Sequence, residues 1–324
     1  MIEMMGLSQT CRLTCLAALA TLLLVGCAEQ GRPLMPTPAI YTGAFARPVL
    51  DGVPAERRSP PLDLLYFINR APIDESSETL AYGSERSKSI AFGSVHVDMG
   101  SGLDWNELVA ASQTDRRKMP IGLKLAGTTE MGQYPAFPYN VRYTGSGFVR
   151  DPEVMTVHRR VEQDIKKEIE RRLVELPKKE IVLYIHGFNE TFQEAAFTTA
   201  ELCHFLGREQ LCALFTWPAG GGGSLLYSYG QDSESADFSV GHLKKVIRSL
   251  TKAPDVKKIH LLAHSRGSAV LLQALRELML ETYVFGEAPG DVLKIENLVL
   301  MAADVDIQVA LQKLTLYGSD PEMS

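Results

Sequence analysis

From residue 180 onward the apolar and polar positions change period in a regular order. "EIVLYIHG" (180–187) is a continuous apolar run of strand length. "TFQEAAFTTAELCHFLG" (191–207) follows with helical spacing and a terminal glycine. "LCALFTWP" (211–218) is a second apolar strand, residues 234–252 have the period of a helix, and "KKIHLLAH" (257–264) is a third strand. "GSAVLLQALRELMLETY" (267–283) reads as helix, "ENLVLMAA" (296–303) as strand, "VALQKL" as a short helix and "LTLYGS" (314–319) as a final strand. Strands that alternate with helices predict parallel pairing, and strands apolar along their whole length predict a sheet covered on both faces. The expected fold class is α/β, with a mostly parallel sheet and helices on both sides.

Upstream the pattern is less regular. Asp151-Pro152 opens a helix in which Val157, Val161, Ile165, Ile169 and Leu173 recur every four residues, and Leu176-Pro177 stops it. "LDLLYFINR" (62–70) reads as a buried strand, and "SIAFGSVHVDM" (89–99) as a second one with Phe92, Val95 and Val97 as its apolar points. Residues 100–150 hold clusters of Gly, Pro and Tyr without clear period and are expected to be irregular. Residues 28–60 are rich in Pro, Arg, Ala and Gly and are expected to be a tether.

The first 27 residues have a different character. Arg12 precedes an apolar run, Leu13–Val25, that is short for a bilayer span and is followed by small residues, which is a secretory signal pattern. Leu24-Val25-Gly26-Cys27 resembles the lipobox of bacterial lipoproteins. That resemblance implies cleavage before Cys27 and a lipid on its sulfur; two or three acyl chains anchor firmly at about 0.8 kcal/mol per buried CH2. Ala28, rather than Asp, favours the outer membrane. The expected organisation is a lipoprotein signal peptide at 1–27, a tether at 28–60 and one domain at 61–324, lipid-anchored in the cell envelope on the periplasmic side.

Composition narrows the classes. A chain of 324 residues that is 45% hydrophobic supports one large core. A net charge of -6 with no basic stripe gives no reason to expect nucleic acid as a partner. Of five cysteines, Cys11 and Cys15 would leave with the signal and Cys27 would carry lipid. Cys203 and Cys212 remain, either as a bridge from a helix to the next strand or as two buried thiols.

The chemistry concentrates in "IHLLAHSRGSAV" (259–270). Ser265 lies between an apolar strand and a long helix, with small residues Ala263 and Gly267 on either side, so the turn can be tight and can lift the hydroxyl above the strand ends. The helix N-terminus beneath it favours developing negative charge. "YIHGFN" closes the earlier strand, and the backbone N–H groups of Phe188 and Arg266 are the candidate oxyanion donors; losing one such donor costs about 3 kcal/mol of barrier. His186 is expected to be structural and His264 to point away from the site. No G-x-G-x-x-G follows the first strand, the glycines at 220–223 lack the lysine of a phosphate loop, and His260 and His264 stand on a strand and its turn, so neither cofactor nor metal is expected.

With "FINRAP" and "YGSERS" before them, "YIHGFNETFQEAAF", "LFTWPAGG", "LLYSYGQDSESADFS", "IHLLAHSRGS" and "LVLMAADVD" make the chain, from about residue 62 to 324, resemble a bacterial alpha/beta-hydrolase family of unknown function. The resemblance implies an alpha/beta-hydrolase-like fold and a serine esterase-like activity on a small ester or amide, with no cofactor. Where the family loop after Trp217-Pro218 carries a serine, this chain has Ala219 and four glycines.

In that fold the order is nucleophile, acid, histidine. Asp320, after the last apolar run, is the first candidate for the acid; Asp304 is the alternative, and Asp306 a weaker one, with helix capping as the competing role for either of the latter two. No histidine follows His264. The domain is therefore expected to lack the fold's last strand and helix, with the catalytic histidine beyond the end of the chain. Two alternatives stand beside this: a non-catalytic lipoprotein serving as a binding or envelope-structure module, and a base supplied from an unusual direction by His96, His158 or His242.

Overall fold

Strand β1 (Leu62–Pro72) pairs antiparallel with β2 (Tyr82–Met99), which pairs antiparallel with β3 (Leu123–Gln133). On its other side β1 runs parallel to β7 (Leu211–Thr216), and beyond it come β6 (Glu180–Ile185), β8 (Lys258–His264) and β9 (Ile295–Met301), all parallel. The order across this seven-stranded sheet is β3-β2-β1-β7-β6-β8-β9; β4 (Val141–Tyr143) and β5 (Phe148–Arg150) form a separate hairpin. The computed structural model describes residues 31–43, 46–73, 80–222 and 224–315. The expected signal peptide with Cys27, the expected strand at 316–319 and Asp320 lie outside the described residues.

The two-residue period of the strands divides the interior. Odd positions (Leu65 and Phe67 on β1, Ile181, Leu183 and Ile185 on β6, Ala213 and Phe215 on β7, Ile259 and Leu261 on β8) face one core. Three helices cover it: α2 (Pro152–Val174), α4 (Leu225–Thr251) and α5 (Arg266–Val284). Even positions, among them Leu64, Tyr66, Ile68 and Leu214, face the opposite core, covered by α3 (Phe192–Phe205) and by Leu108 of α1 (Trp105–Ser112). The sheet is thus mostly parallel with helices on both faces, an alpha/beta-hydrolase type of arrangement. Two short helices complete it, α6 (Pro289–Leu293) and α7 (Ile307–Leu314). Among the described residues no helix is long and apolar enough to cross a membrane.

Local signals explain the helix ends. Asp151 caps α2 through Glu153 N–H with Pro152 in the first turn, and Thr191 and Glu194 form a reciprocal capping box on α3. Four expectations need correction. The expected tether at 28–60 is not free where it is described, at 31–43 and 46–60: Leu34, Tyr41, Leu50 and Val53 are buried in the second core, and Arg32 pairs with the buried Glu201. Apolar residues spaced among prolines are enough to dock a chain that has little regular structure. Residues 100–150 are not all irregular, since α1 and β3 lie there. Helix α4 starts at Leu225 rather than 234. Helix α7 runs through Leu314, where a strand was expected to begin. Cys203 on α3 and Cys212 on β7 form a disulfide, which settles the open choice between bridge and thiols.

Candidate active site

Strand β8 ends at His264 and α5 begins at Arg266, so Ser265 is the whole connection between them. Its backbone has φ 48° and ψ −124°, a conformation that L residues adopt at a cost of about 1–3 kcal/mol. Three hydrogen bonds hold the turn. Ser265 N–H donates to the Met301 carbonyl at the end of β9 (3.0 Å), and its own carbonyl accepts from Ser268 N–H (3.0 Å) and Asp304 N–H (3.1 Å). The residue is half-buried.

Close approach of β6 to this turn depends on two glycines. A Cβ on Gly267 would lie 2.3 Å from the His186 carbonyl oxygen and 2.7 Å from that of Ile185. A Cβ on Gly187 would lie 2.9 Å from the Ser265 Cβ. The glycine after "YIH" and the glycine after "HSR" are therefore the surfaces through which the two turns touch.

The loop after β6 is held from both sides. Gly187 N–H donates to Glu190 Oε2 (3.1 Å), and Asn189 N–H donates to Asp232 Oδ2 (3.0 Å). The same Asp232 oxygen accepts from Gly220 N–H (3.2 Å), so one buried carboxylate of α4 ties the loops after β6 and β7 together. Between these two fixed amides, Phe188 N–H has no partner among the described residues. The Arg266 N–H is the first of α5, where a helix offers no acceptor of its own. Phe188 follows Gly187, which packs against Ser265, and Arg266 follows Ser265 itself; neither N–H has a partner among the described residues. Burial raises the Glu190 carboxyl above its ordinary range, against the lowering effect of its bond from Gly187 N–H.

His186 is fully buried, stacked flat on Trp217 with ring centroids 5.0 Å apart. Its Nε2 accepts from Trp217 N–H (3.0 Å), and Trp217 Nε1–H donates back to the His186 carbonyl (2.9 Å). Burial first, and then the Arg70 charge, hold this imidazole neutral with a pKa well below the usual histidine value. Arg70, buried on β1, donates to Thr216 Oγ1 (2.9 Å), to the carbonyls of Ala219 (2.8 Å) and Glu190 (2.5 Å), and reaches His186 Nε2 at 3.1 Å. Burial pulls its pKa down to about 10.

On the other side of Ser265, Asp304 Oδ2 accepts from Tyr229 Oη–H (2.8 Å). Tyr229 meets Phe188 edge-on at 5.4 Å and lies under the Arg266 guanidinium at 5.9 Å. Asp306, not Asp304, caps α7 by accepting from Gln308 and Val309 N–H. Two clefts flank the turn. One, of about 510 Å³, is lined by Arg266, Asp304, Gln273 and Lys313 among others. The second, of about 410 Å³, is lined by Phe188, Glu190, Thr198, Met301 and His264. The His264 side chain therefore borders a cleft beside Phe188 rather than pointing away from the site.

All seven histidines of the sequence are described, and none hydrogen-bonds Ser265 or Asp304. His96 faces Asp63 (3.8 Å), His158 faces Glu162 (3.8 Å), and His204 bonds Ser112 and Arg208. His242 is buried against the Phe238 carbonyl, and His260 bonds Glu180. His96, His158 and His242 are thus engaged elsewhere. Among the described residues no group of three or more His, Cys, Asp or Glu is placed to hold a metal ion.

Four residues that brace the site were not singled out from the sequence: Arg70, Glu190, Asp232 and Tyr229. Each stands inside a motif quoted for the family resemblance ("FINRAP", "YIHGFNETFQEAAF", "LLYSYGQDSESADFS"), so the signal was present without a role attached. A family model described as alpha/beta hydrolase of unknown function (DUF900) matches residues 161–323. Comparison with curated proteins found no match, and comparison with solved structures found none.

Proposed function

The chain belongs to the alpha/beta hydrolases of unknown function (DUF900), and from that premise we propose that it is an envelope-anchored serine hydrolase acting on a small ester or amide. The observation that carries this reading is the Ser265 turn at positive φ, packed against Gly187, with the next N–H in that loop, that of Phe188, without a partner among the described residues. Strain at a functional residue persists where its surroundings over-determine it, as the bond to Met301 and those from Ser268 and Asp304 do here.

In the proposed reaction Ser265 Oγ attacks the carbonyl carbon while a base takes its proton. The oxyanion gathers hydrogen bonds from the N–H groups of Phe188 and Arg266. Collapse expels the alcohol or amine, which takes the proton from the base, and water then releases the acyl group by the same steps. The clefts on either side of the turn give room for the two ends of the substrate. Asp304 is the described carboxylate nearest this role in the chain order, and its bond from Tyr229 holds it beside Arg266. Asp320 keeps its place as the other candidate. The reading assigns the base to a histidine outside these 324 residues, since all seven within them are engaged away from Ser265 or, for His264, adjoin it in sequence. No cofactor enters the scheme. Lipidation at Cys27 supplies the anchor, and the Cys203–Cys212 disulfide supports an exported, oxidising location.

The histidine arrangement also favours a second reading, a non-catalytic lipoprotein on a hydrolase fold. One experiment separates them. The protein isolated from its own cells is treated with a fluorophosphonate, and peptides are read by mass. An adduct on Ser265 that Ser265→Ala abolishes is the expected result. An unmodified Ser265 under conditions that label other serine hydrolases in the same extract would leave the non-catalytic reading standing.

A further inference from the structure

We propose that the end of the molecule opposite Ser265 rests on an anionic phospholipid surface. This inference uses the lipid-anchor reading of Cys27 and is independent of the hydrolase reading.

The sheet defines two ends. Ser265 follows the carboxyl end of β8, whereas Met99 pairs with Leu123 and Leu62 with Val97 at the opposite, amino end of the parallel strands. Seven residues of β8 separate the ends by about 20 Å at strand rise. At the amino end, between α1 and the start of β3, lies a groove of about 910 Å³, larger than either cleft beside Ser265. Leu103, Ala110, Ala111, Met119, Pro120 and Ile121 give it apolar walls, and Met119 is 76% exposed.

Its rim is cationic. Arg116, Lys118 and Lys124 line the groove, are exposed, and form no ion pair among the described residues. Arg117, by contrast, is spent on the carbonyls of Leu34, Met35 and Ala111. Of the nearby acids, Glu107 also lines the groove and accepts from Asp104 N–H in the cap of α1, Asp98 accepts from Ser101 Oγ–H, and Asp115 is the one charge in the 115–118 run that opposes. Three open cations around exposed apolar side chains match a headgroup layer, which attracts the charges and admits the methionine.

The chain's own course brings the membrane to this end. Leu123 N–H donates to the Arg32 carbonyl (2.8 Å) and Leu34 N–H to the Ile121 carbonyl (2.7 Å), so the first described residues are stitched along the groove's edge. Cys27 precedes Gly31 by four residues, a span of at most about 14 Å. A lipid at Cys27 therefore holds the groove within that reach of the bilayer. Ser265 then faces away from the membrane, and its substrate arrives from the aqueous side.

Hydrogen exchange on the full-length protein tests this, with vesicles of phosphatidylcholine alone and of phosphatidylcholine mixed with phosphatidylglycerol. Amides at 114–124 should exchange several-fold more slowly on the anionic vesicles, and those at 187–190 should be unchanged. High salt, and the combined variant Arg116→Glu, Lys118→Glu and Lys124→Glu, should each remove the protection. The salt arm keeps the test decisive if the variant folds poorly. Equal exchange at 114–124 on both vesicles, or protection at 187–190 instead, would overturn the proposal. A groove that docks another protein would give the first of these results. Ser265 labelling plays no part in the readout, so failure here leaves the hydrolase reading where it was.

Discussion

At the scale of single residues, the site depends on what two positions lack. The Gly267 backbone is pressed against the carbonyls of His186 and Ile185, with no space for a methyl group. Gly267→Ala must push β6 and α5 apart. The expected loss is about 1–3 kcal/mol of stability in urea unfolding, with a fall in fluorophosphonate labelling larger than a fully folded control shows. The glycine and the serine were legible because a tight strand-to-helix turn demands both. Arg70 was not, because its partners come from loops more than a hundred residues downstream, and nothing in "FINRAP" announces a guanidinium that bonds backbone carbonyls rather than a carboxylate. The choice between Asp304 and Asp306 as helix cap was also beyond the sequence. Both precede α7, and only the backbone shows that Asp306 points its oxygen at the first amides while Asp304 turns to Tyr229.

At the scale of elements, the run from β6 to α7 follows the period of the apolar residues closely, because β6, β7 and most of β8 are buried and the helices turn apolar residues toward the sheet; the last strand, β9, is only partly buried. Beyond β1 toward the other edge that signal fails. Strand β3 is mostly exposed along "LKLAGTTEMGQ", so no alternation marks it. Helix α1 has only eight residues and is defined more by its Asp104–Glu107 capping box than by a stripe. Near the amino terminus, a proline-rich segment that looks like a linker is fastened by Tyr41 Oη–H to the Phe205 carbonyl and by Met35 N–H to Glu201. The α3–β7 junction carries its own prediction. The Cys203–Cys212 bridge closes a short loop, nine positions apart. Replacing both residues by serine should lower the unfolding free energy by about 2–3 kcal/mol in the chain-entropy account. Wild type in reductant should show the same loss, and the double variant should show no further loss in reductant.

At the scale of the whole molecule, buried ionisable groups set the response to pH. Burial holds His186 and His204 far below the usual histidine pKa, and lowers His158 and His242 as well. The unfolded chain protonates these imidazoles as pH falls through about 6.5, while the folded protein does not. Their contribution is therefore present above that value and lost on acidification, at up to about 1.4 kcal/mol per pH unit for each fully buried group. Glu190 and Glu201, raised by burial, act in the opposite sense: their contribution is complete below about 4.5 and is lost as pH rises through their folded values. Four imidazoles oppose two carboxyls, so stability from urea titrations should fall between pH 7 and 5.5, and Glu190→Gln should steepen the fall. A flat profile would mean that the buried histidines take up protons without unfolding. The Arg70 brace has a practical corollary. The residues that carry the family match begin at 161, yet the guanidinium joining the loops after β6 and β7 comes from β1. A gene trimmed to the matched boundaries would delete that strand and strand two carbonyls without a donor. Chimeras that exchange the amino-terminal third between relatives will keep a working loop geometry only where the incoming segment brings an arginine to the same spot.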